Sequence, residues 1–175
     1  GGEVLRYYSS CAGGEPAPST DEAAEAAAAF LRARGYDGMR LIDTEDAGQS
    51  LICTFCYVQD GVLCTADQLR VRVQLDDGTV CGFSSASYLD THRARTLPAD
   101  TIGAEAGQAA VPGALQVVDT RTAFLRLYGA RETLCYEYLC ETDDGQRCVI
   151  AVNARTGQQE RIQTSDVSGG VQMQF

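Results

Sequence analysis

The sequence predicts an α+β protein made of two similar units, in each of which a helix packs on an antiparallel β-sheet. Three observations favour this fold class: a well-capped helix near the start of the chain, stretches in which polar and apolar residues alternate, and a hairpin pattern that occurs twice. With 175 residues, the chain is long enough for one or two small domains with apolar cores.

The first helix is predicted to begin at Ser19, after a linker rich in glycine, proline and alanine. Glu22 follows Ser19 at the spacing of a capping box, in which the two side chains accept hydrogen bonds from each other's backbone N–H groups. Arg32 and Arg34 lie in the expected last turn, and Gly35 suits the C-terminal cap. Apolar residues recur on one helical face at Ala23, Ala27, Phe30 and Leu31. We expect this helix to be structural and to pack on a sheet.

A hairpin is predicted after this helix. Residues 70–75 alternate between polar and apolar side chains, and Asp76, Asp77 and Gly78 form the turn that follows them. Val80 and Phe83 continue the pattern after the turn. Residues 88–98 read as a polar connector that ends the first unit.

The second unit is predicted to begin with a weaker helix at residues 100–110. Gly103 and Gly107 lower its helix propensity, by about 1 kcal/mol each. Strands are predicted after it at residues 115–119, 122–128, 134–142, 146–152, 159–162 and 171–175.

Two cysteines stand eight residues apart in both hairpins, with an Asp-Gly pair between them. These pairs are Cys56 with Cys64 and Cys140 with Cys148. A three-residue loop would place the members of each pair directly opposite each other, and would also oppose Tyr138 to Ile150 on one apolar face. Directly opposed residues are close enough for a cross-strand disulfide. The alternative is that these cysteines are small buried residues that stay reduced.

The composition excludes several classes of function. The net charge of −10 argues against binding to nucleic acid, which requires a surplus of basic residues. All basic residues are arginine, so a P-loop lysine and a Schiff-base lysine are absent from this sequence. Cys53 and Cys56 have the C-x-x-C spacing, but no second such pair accompanies them and a zinc ribbon is not predicted. No apolar run reaches the roughly 18 residues of a membrane span.

The sequence offers one credible set of catalytic residues, a cysteine nucleophile with His92, the single histidine, as its general base. Every cysteine except Cys11 falls in a predicted strand, whereas thiolates are stabilised at helix N-termini. The carboxylate pairs Asp76-Asp77 and Asp143-Asp144 fall in predicted turns, where aspartate is favoured for backbone reasons. We therefore predict a protein that is not an enzyme and that uses no cofactor or metal.

Several segments, in the same order along nearly the whole chain, resemble the YpeB-type spore germination proteins and their PepSY repeats. These segments are residues 57–62, 67–73, 75–78 and 82–83, then Tyr88-Leu89 with His92, Arg95, Leu97 and Pro98, and finally residues 134–138 and 152–157. The resemblance implies tandem PepSY modules, each a helix packed on an antiparallel sheet. Residues 1–18 would be the end strand of a truncated upstream module plus a linker, and residues 19–97 and 98–175 would be one module each.

The resemblance also implies a function. The chain would be a non-catalytic, extracytoplasmic regulatory module of a spore germination protein, located at the spore inner membrane and cortex. An N-terminal membrane segment outside this sequence would anchor it. Its partner would be the cortex-lytic hydrolase SleB, which it would stabilise or restrain, with peptidoglycan as a further binding partner. The alternatives are a general peptidase inhibitor of the PepSY type, a structural cell-wall module and, more remotely, a Cys/His hydrolase.

A partner contact is predicted at His92, Arg93 and Arg95. These residues lie where the two modules join and are locally basic in an acidic protein. The alternative is a solvated linker that contains a structural histidine.

Overall fold

The computed structural model describes residues 4–9, 18–129, 131–164 and 171–173. The strands are β1 (Arg6–Tyr8), β2 (Met39–Asp46), β3 (Ser50–Gln59), β4 (Val62–Gln74), β5 (Val80–Ser84), β6 (Gln116–Tyr128), β7 (Arg131–Glu141), β8 (Arg147–Asn153), β9 (Gln159–Thr164) and β10 (Val171–Met173). The helices are α1 (Thr20–Arg32), α2 (Ala86–Thr91) and α3 (Ala104–Gly107), and a 3₁₀ turn (Gln108–Ala110) follows α3.

The fold is α+β and consists mostly of sheet, which confirms the predicted class at this level. The described residues divide into two compact units. The first contains residues 4–9, 18–58, 66–93 and 171–173, and the second contains residues 59–65, 94–129 and 131–164. The module boundaries 1–18, 19–97 and 98–175 stay a prediction.

The first helix of the first unit begins as predicted. The backbone N–H of Ser19 donates to Glu22 Oε2 at 2.8 Å, and the backbone N–H of Glu22 donates to Ser19 Oγ at 3.2 Å. These two hydrogen bonds complete the capping box. The backbone N–H and the hydroxyl of Ser19 both donate to the Glu22 carboxylate and so lower its pKa. Gly35 adopts a φ of 77° just after the helix, a backbone conformation that favours glycine.

The core of the first unit lies between α1 and one face of its sheet. The strands of this sheet follow the order β10-β2-β3-β4-β5-β1. Ala23, Ala27 and Leu31 face the sheet and are fully buried, as the spacing predicted. They pack against buried apolar side chains of the sheet. These are Leu51, Cys53 and Phe55 of β3, Leu69, Val71 and Val73 of β4, Leu75 just after β4, and Phe83 of β5. The predicted hairpin of β4 and β5 is confirmed, with Val71 opposite Phe83.

The loop between β3 and β4 has two residues, so the predicted three-residue loop is wrong. Asp60 and Gly61 have φ values of 51° and 81°, the positive angles that a type I′ turn requires at both central positions. Such a loop places Gln59 opposite Val62. The prediction that Cys56 lies directly opposite Cys64 depended on the three-residue loop, so it is wrong as well.

A short helix replaces part of the predicted polar connector. The α2 helix includes residues 88–91 of this connector, and its last residue, Thr91, is buried. The Thr91 Oγ1 lies 2.9 Å from the backbone carbonyl oxygen of Ala66 in β4. This part of the connector is therefore folded against the sheet of the first unit.

The second unit is built on a sheet in the order β4-β6-β7-β8-β9. The first residues of β4 pair in parallel with β6, and all later neighbours are antiparallel. The register predicted for the hairpin of β7 and β8 is confirmed. Its opposed pairs include Cys140 with Cys148, Tyr138 with Ile150 and Tyr136 with Val152. Gly145 takes the positive φ of 82° that the three-residue loop requires.

The helix of the second unit is shorter than predicted. Residues 100–103 are not helical, and Gly103 has a φ of 83° immediately before α3. This angle is outside the helical range, so the helix cannot begin earlier. The two strands predicted at residues 115–119 and 122–128 form the single strand β6, which has a bulge between Val117 and Asp119.

We expect Gly107→Ala to destabilise the second unit by about 1–3 kcal/mol. A Cβ at this position would lie 2.6 Å from Tyr138 Oη and 3.1 Å from Tyr136 Cδ2, so α3 and β7 would have to move apart. The matched control is Gly113→Ala, whose Cβ would meet no heavy atom within 4 Å. Urea unfolding of both variants checks the prediction, and equal midpoints would contradict it.

Candidate functional site

The first unit contains an open groove of about 570 Å³, here called the α1–α2 groove. It is lined by Val4, Arg34, Gly35, Tyr36, Phe83, Tyr88, Leu89 and His92. A volume of this size is within the range of protein sites that bind small molecules or side chains.

Three segments of the chain bring these residues together. Val4 precedes β1, and the Ser85 hydroxyl holds it by donating to the Val4 carbonyl at 2.7 Å. Arg34 and Tyr36 follow the end of α1, where the Tyr36 N–H donates to the carbonyl of Leu31 at 3.1 Å. The third segment runs from β5 through α2 and supplies Phe83, Tyr88, Leu89 and the C-cap residue His92. The groove therefore depends on the end of α1 and on the helix that the sequence did not predict.

Aromatic rings form one wall of the groove. The centroids of Tyr36 and Tyr88 are 5.4 Å apart in an edge-to-face arrangement, and those of Tyr36 and Phe83 are 5.8 Å apart. The ring of Tyr88 stacks on that of His92 with centroids 4.2 Å apart, and Tyr57 contacts the same imidazole edge-on. Such packing fixes the rings before any ligand binds.

A buried carboxylate orients His92. Asp67 is fully buried, and its Oδ2 lies 2.9 Å from His92 Nδ1. Its Oδ1 accepts a hydrogen bond from the Thr91 hydroxyl at 2.9 Å. Nε2 lies on the other side of the ring, where it makes no hydrogen bond to any residue that the structure describes. The side chain of His92 is 33% exposed, so a ligand can reach the ring.

Arg34 adds a positive charge to the groove. Its guanidinium carbon lies 3.4 Å from the centroid of the Phe30 ring, and Nη1 donates to the Phe30 carbonyl at 3.3 Å. The cation–π contact and the hydrogen bond hold the long side chain near one conformation. Arg34 is exposed, so its remaining donors can bind a ligand.

The structure separates the three residues of the predicted partner contact. His92 lines the α1–α2 groove, and the exposed Arg93 donates to the Thr91 carbonyl at 3.3 Å. Arg95 belongs to the second unit and is buried, with 4% of its side chain exposed. Its guanidinium pairs with the Glu132 carboxylate. A partner contact through His92, Arg93 and Arg95 stays a prediction.

Sequence reasoning missed Arg34, Tyr36 and Asp67 as site residues. Asp67 had one usable signal, because a carboxylate inside a strand whose neighbours bury their side chains requires a partner. Arg34 had been assigned only to the last turn of a structural helix. Tyr36 carried no signal of its own.

The described cysteines are thiols, and all of them except the partly exposed Cys148 are buried. Burial raises the pKa of Cys53 to about 11, that of Cys135 to about 12 and that of Cys140 to about 11. A nucleophilic cysteine needs a lowered pKa, so these three thiols are unsuited to the Cys/His hydrolase alternative. Cys11 lies outside the described residues.

We expect Cys53, Cys135 and Cys140 to react slowly with iodoacetamide in the folded protein. When a thiol has a pKa of about 11, about one molecule in ten thousand is ionised at pH 7, and the thiolate is the reactive form. Labelling should accelerate about tenfold per pH unit towards the pKa, and also on unfolding in urea. Peptide mass mapping measures this, and rapid labelling of any of the three at pH 7 would contradict the burial argument.

The second cysteine pair has the geometry for a disulfide. Cys140 and Cys148 are directly opposed on adjacent antiparallel strands, and the proximity of Cys148 contributes to the raised pKa of Cys140. We expect mild oxidation by a disulfide reagent to join them, with a mass loss of about 2 Da in the peptide pair. The disulfides of both pairs stay predictions, and eight free thiols in the purified, unreduced protein would contradict both.

Two further observations concern the described residues only. No group of histidine, cysteine, aspartate or glutamate side chains in them could hold a metal ion. Within the same residues, none of the helices has the length and apolar character needed to cross a membrane.

Comparison with known proteins identifies relatives. A family model described as "YpeB sporulation, PepSY1 and PepSY2 domains" matches residues 1–98. Sporulation protein YpeB of Bacillus subtilis (strain 168) is 32% identical over 147 residues, which is 83% of this chain and 32% of the relative. The protein of the same name from Halalkalibacterium halodurans is 28% identical over 145 residues, again 83% of this chain and 32% of the relative. This chain thus spans about a third of the length of these curated relatives.

A solved structure shares the fold. The Bacillus megaterium YpeB C-terminal domain superposes with a TM-score of 0.84 at 25% sequence identity, and the match covers 94% of this chain and 73% of that domain. The sequence resemblance noted above is therefore confirmed by the family model, by curated relatives and by a solved structure. Because the family model matches more than half of the chain, the chain belongs to the YpeB family of sporulation proteins.

Proposed function

We propose that this chain is a non-catalytic, protein-binding module of a spore germination protein, which stabilises or restrains the cortex-lytic hydrolase SleB. Membership of the YpeB family supports the sporulation context. The choice of partner rests on what the resemblance to YpeB-type proteins implies. We further propose that the chain consists of tandem PepSY modules and works outside the cytoplasmic membrane, at the spore inner membrane and cortex.

The observation that carries a binding function is the α1–α2 groove. Its aromatic wall is already packed, and Arg34 and His92 are each held by contacts within the protein. A preformed site loses little conformational entropy when a partner binds, which favours recognition.

The chemistry of the groove also supports a role without catalysis. A general base acts on a nucleophile within hydrogen-bond reach. None of the eight lining residues is a cysteine or serine, and the three thiols with raised pKa values are poor nucleophiles. The Asp67–His92 pair therefore serves best to position a hydrogen-bonding group.

Co-purification tests the proposed partner. The immobilised chain is incubated with the cortex-lytic hydrolase of the same organism and, separately, with its cell-wall fraction, with a heat-unfolded chain as the control. We expect specific retention of the hydrolase. Retention of peptidoglycan alone would favour the structural cell-wall module, and retention of neither would refute a binding role towards these two partners.

A further inference from the structure

We propose that the α1–α2 groove binds a peptide segment that carries a carboxylate next to an apolar side chain. This inference rests on the proposed protein-binding function and adds to it a surface and a ligand class. It predicts that the partner presents a C-terminal carboxylate beside a leucine, phenylalanine or similar residue.

The charge of the groove favours an anion. None of its eight lining residues is acidic, although the chain as a whole has a net charge of −10. The exposed guanidinium of Arg34 is fixed over the Phe30 ring and matches the geometry of a carboxylate. It is the main anion-binding group of the proposed site.

His92 supplies a second, oriented group. Its Nδ1 is bound to the buried Asp67, so a ligand meets the opposite nitrogen, Nε2. A protonated ring donates from both nitrogens at once, to Asp67 and to the ligand. His92 thus adds direction to the binding site, because Asp67 fixes its ring, and the exposed guanidinium of Arg34 adds positive charge.

The apolar lining matches the rest of the proposed ligand. Val4, Leu89 and the rings of Tyr36, Phe83 and Tyr88 surround the two polar groups. An apolar side chain next to the ligand carboxylate would be removed from water there, which is favourable by roughly 25 cal/mol per Å².

The test compares two short peptides by NMR titration of the isotope-labelled chain at about pH 6. The probes are acetyl-Ala-Leu-Phe with a free C-terminal carboxylate and the same peptide as its amide. We expect the acid to bind at least about tenfold more tightly, since hydrogen bonds to charged groups are the stronger ones. Its chemical-shift changes should centre on Arg34, Tyr36, Tyr88 and His92.

Matched variants complete the design. Arg34→Gln should reduce binding of the acid to the level of the amide, whereas Arg32→Gln should leave it unchanged. Arg32 is the last residue of α1, pairs with the exposed Glu25 and does not line the groove. His92→Asn, which can keep a donor for Asp67, should weaken binding about threefold to tenfold. Circular dichroism verifies that each variant is folded.

Several results would overturn the inference. Equal affinity for the acid and the amide would show that the groove does not recognise the carboxylate. Unchanged binding of the acid by Arg34→Gln would show that Arg34 does not bind it. Shift changes elsewhere in the chain, or binding of an N-acetylglucosamine tetramer in the groove in place of the peptides, would refute it as well. If the cortex-lytic hydrolase binds and Arg34→Gln binds it equally well, the groove inference fails while the proposed function stands. If the acid peptide binds in the groove and the hydrolase does not bind, the proposed partner fails instead.

Discussion

Replacing Arg95 by methionine is expected to lower the free energy of unfolding of the second unit by about 3–5 kcal/mol, because it leaves a buried carboxylate without its counter-charge. Arg95 donates from Nε and Nη2 to the two oxygens of Glu132, at 3.0 and 2.7 Å. Only 4% and 6% of the two side chains are exposed. The Gln59 side chain also binds the backbone of Arg95. Its Nε2 donates to the Arg95 carbonyl at 2.7 Å, and its Oε1 accepts from the Arg95 N–H at 2.9 Å.

The measurement is hydrogen exchange of the β6 and β7 amides, which reports the opening free energy of the second unit directly. The control is Arg147→Met, since Arg147 pairs with Glu141 on an exposed surface, where such a pair contributes less than about 1 kcal/mol. If Arg95→Met destabilises the unit no more than the control does, the buried pair is not the stabilising element that the structure implies.

Replacing Glu137 by alanine is expected to destabilise the second unit by about 3 kcal/mol. Glu137 is 1% exposed, and its two oxygens accept hydrogen bonds from Arg121 at 2.8 Å and from Arg161 at 3.1 Å. The change would leave two guanidinium groups near each other without the carboxylate between them. Because 38% of the Arg161 side chain is exposed, water can compensate for part of the loss.

Urea unfolding, read by the same β6 and β7 amides, checks this value. Glu141→Gln, four residues further along β7, is the control and should change stability by less than about 1 kcal/mol. The double variant Arg121→Met, Glu137→Leu should recover part of the loss, since an apolar pair can replace a buried ion pair. If the double variant loses as much unfolding free energy as its two single variants lose together, the loss does not come from unpaired charges, and the prediction is wrong.

The sequence was most informative where local chemistry decides the structure. The capping box of Ser19 and Glu22 needs only neighbouring residues, so the start of α1 could be predicted. The register of β7 and β8 followed from the requirement that the tyrosines and isoleucine of one face share a core, and the structure confirms it.

Loop lengths and short helices were harder to predict. Asp60-Gly61 and Asp144-Gly145 are the same dipeptide, but both residues of the first have positive φ and only the glycine of the second does. The pairing of the flanking strands decides between the two turns, and it depends on tertiary packing. The α2 helix is only six residues long, below the length at which periodicity is informative.

The candidate site could be predicted only in part, because its contacts join distant parts of the chain. His92 was identified as the single histidine, but the carboxylate that orients it is 25 residues away in a strand. Arg34 and Tyr36 reach the groove from the end of α1, more than 50 residues from α2. No spacing rule connects positions so far apart, so only the folded structure shows that they meet.

We propose that this chain acts by binding a cortex-lytic hydrolase and catalyses nothing itself. The most direct test is a calorimetric titration of the purified hydrolase with the chain, followed by measurement of the protease resistance of the hydrolase and of the release of soluble fragments from cortex peptidoglycan. We predict heat that saturates near one chain per hydrolase, slower proteolysis of the bound hydrolase, and no fragment release by the chain alone. Heat without saturation, or fragments released by the chain in the absence of the hydrolase, would contradict the claim.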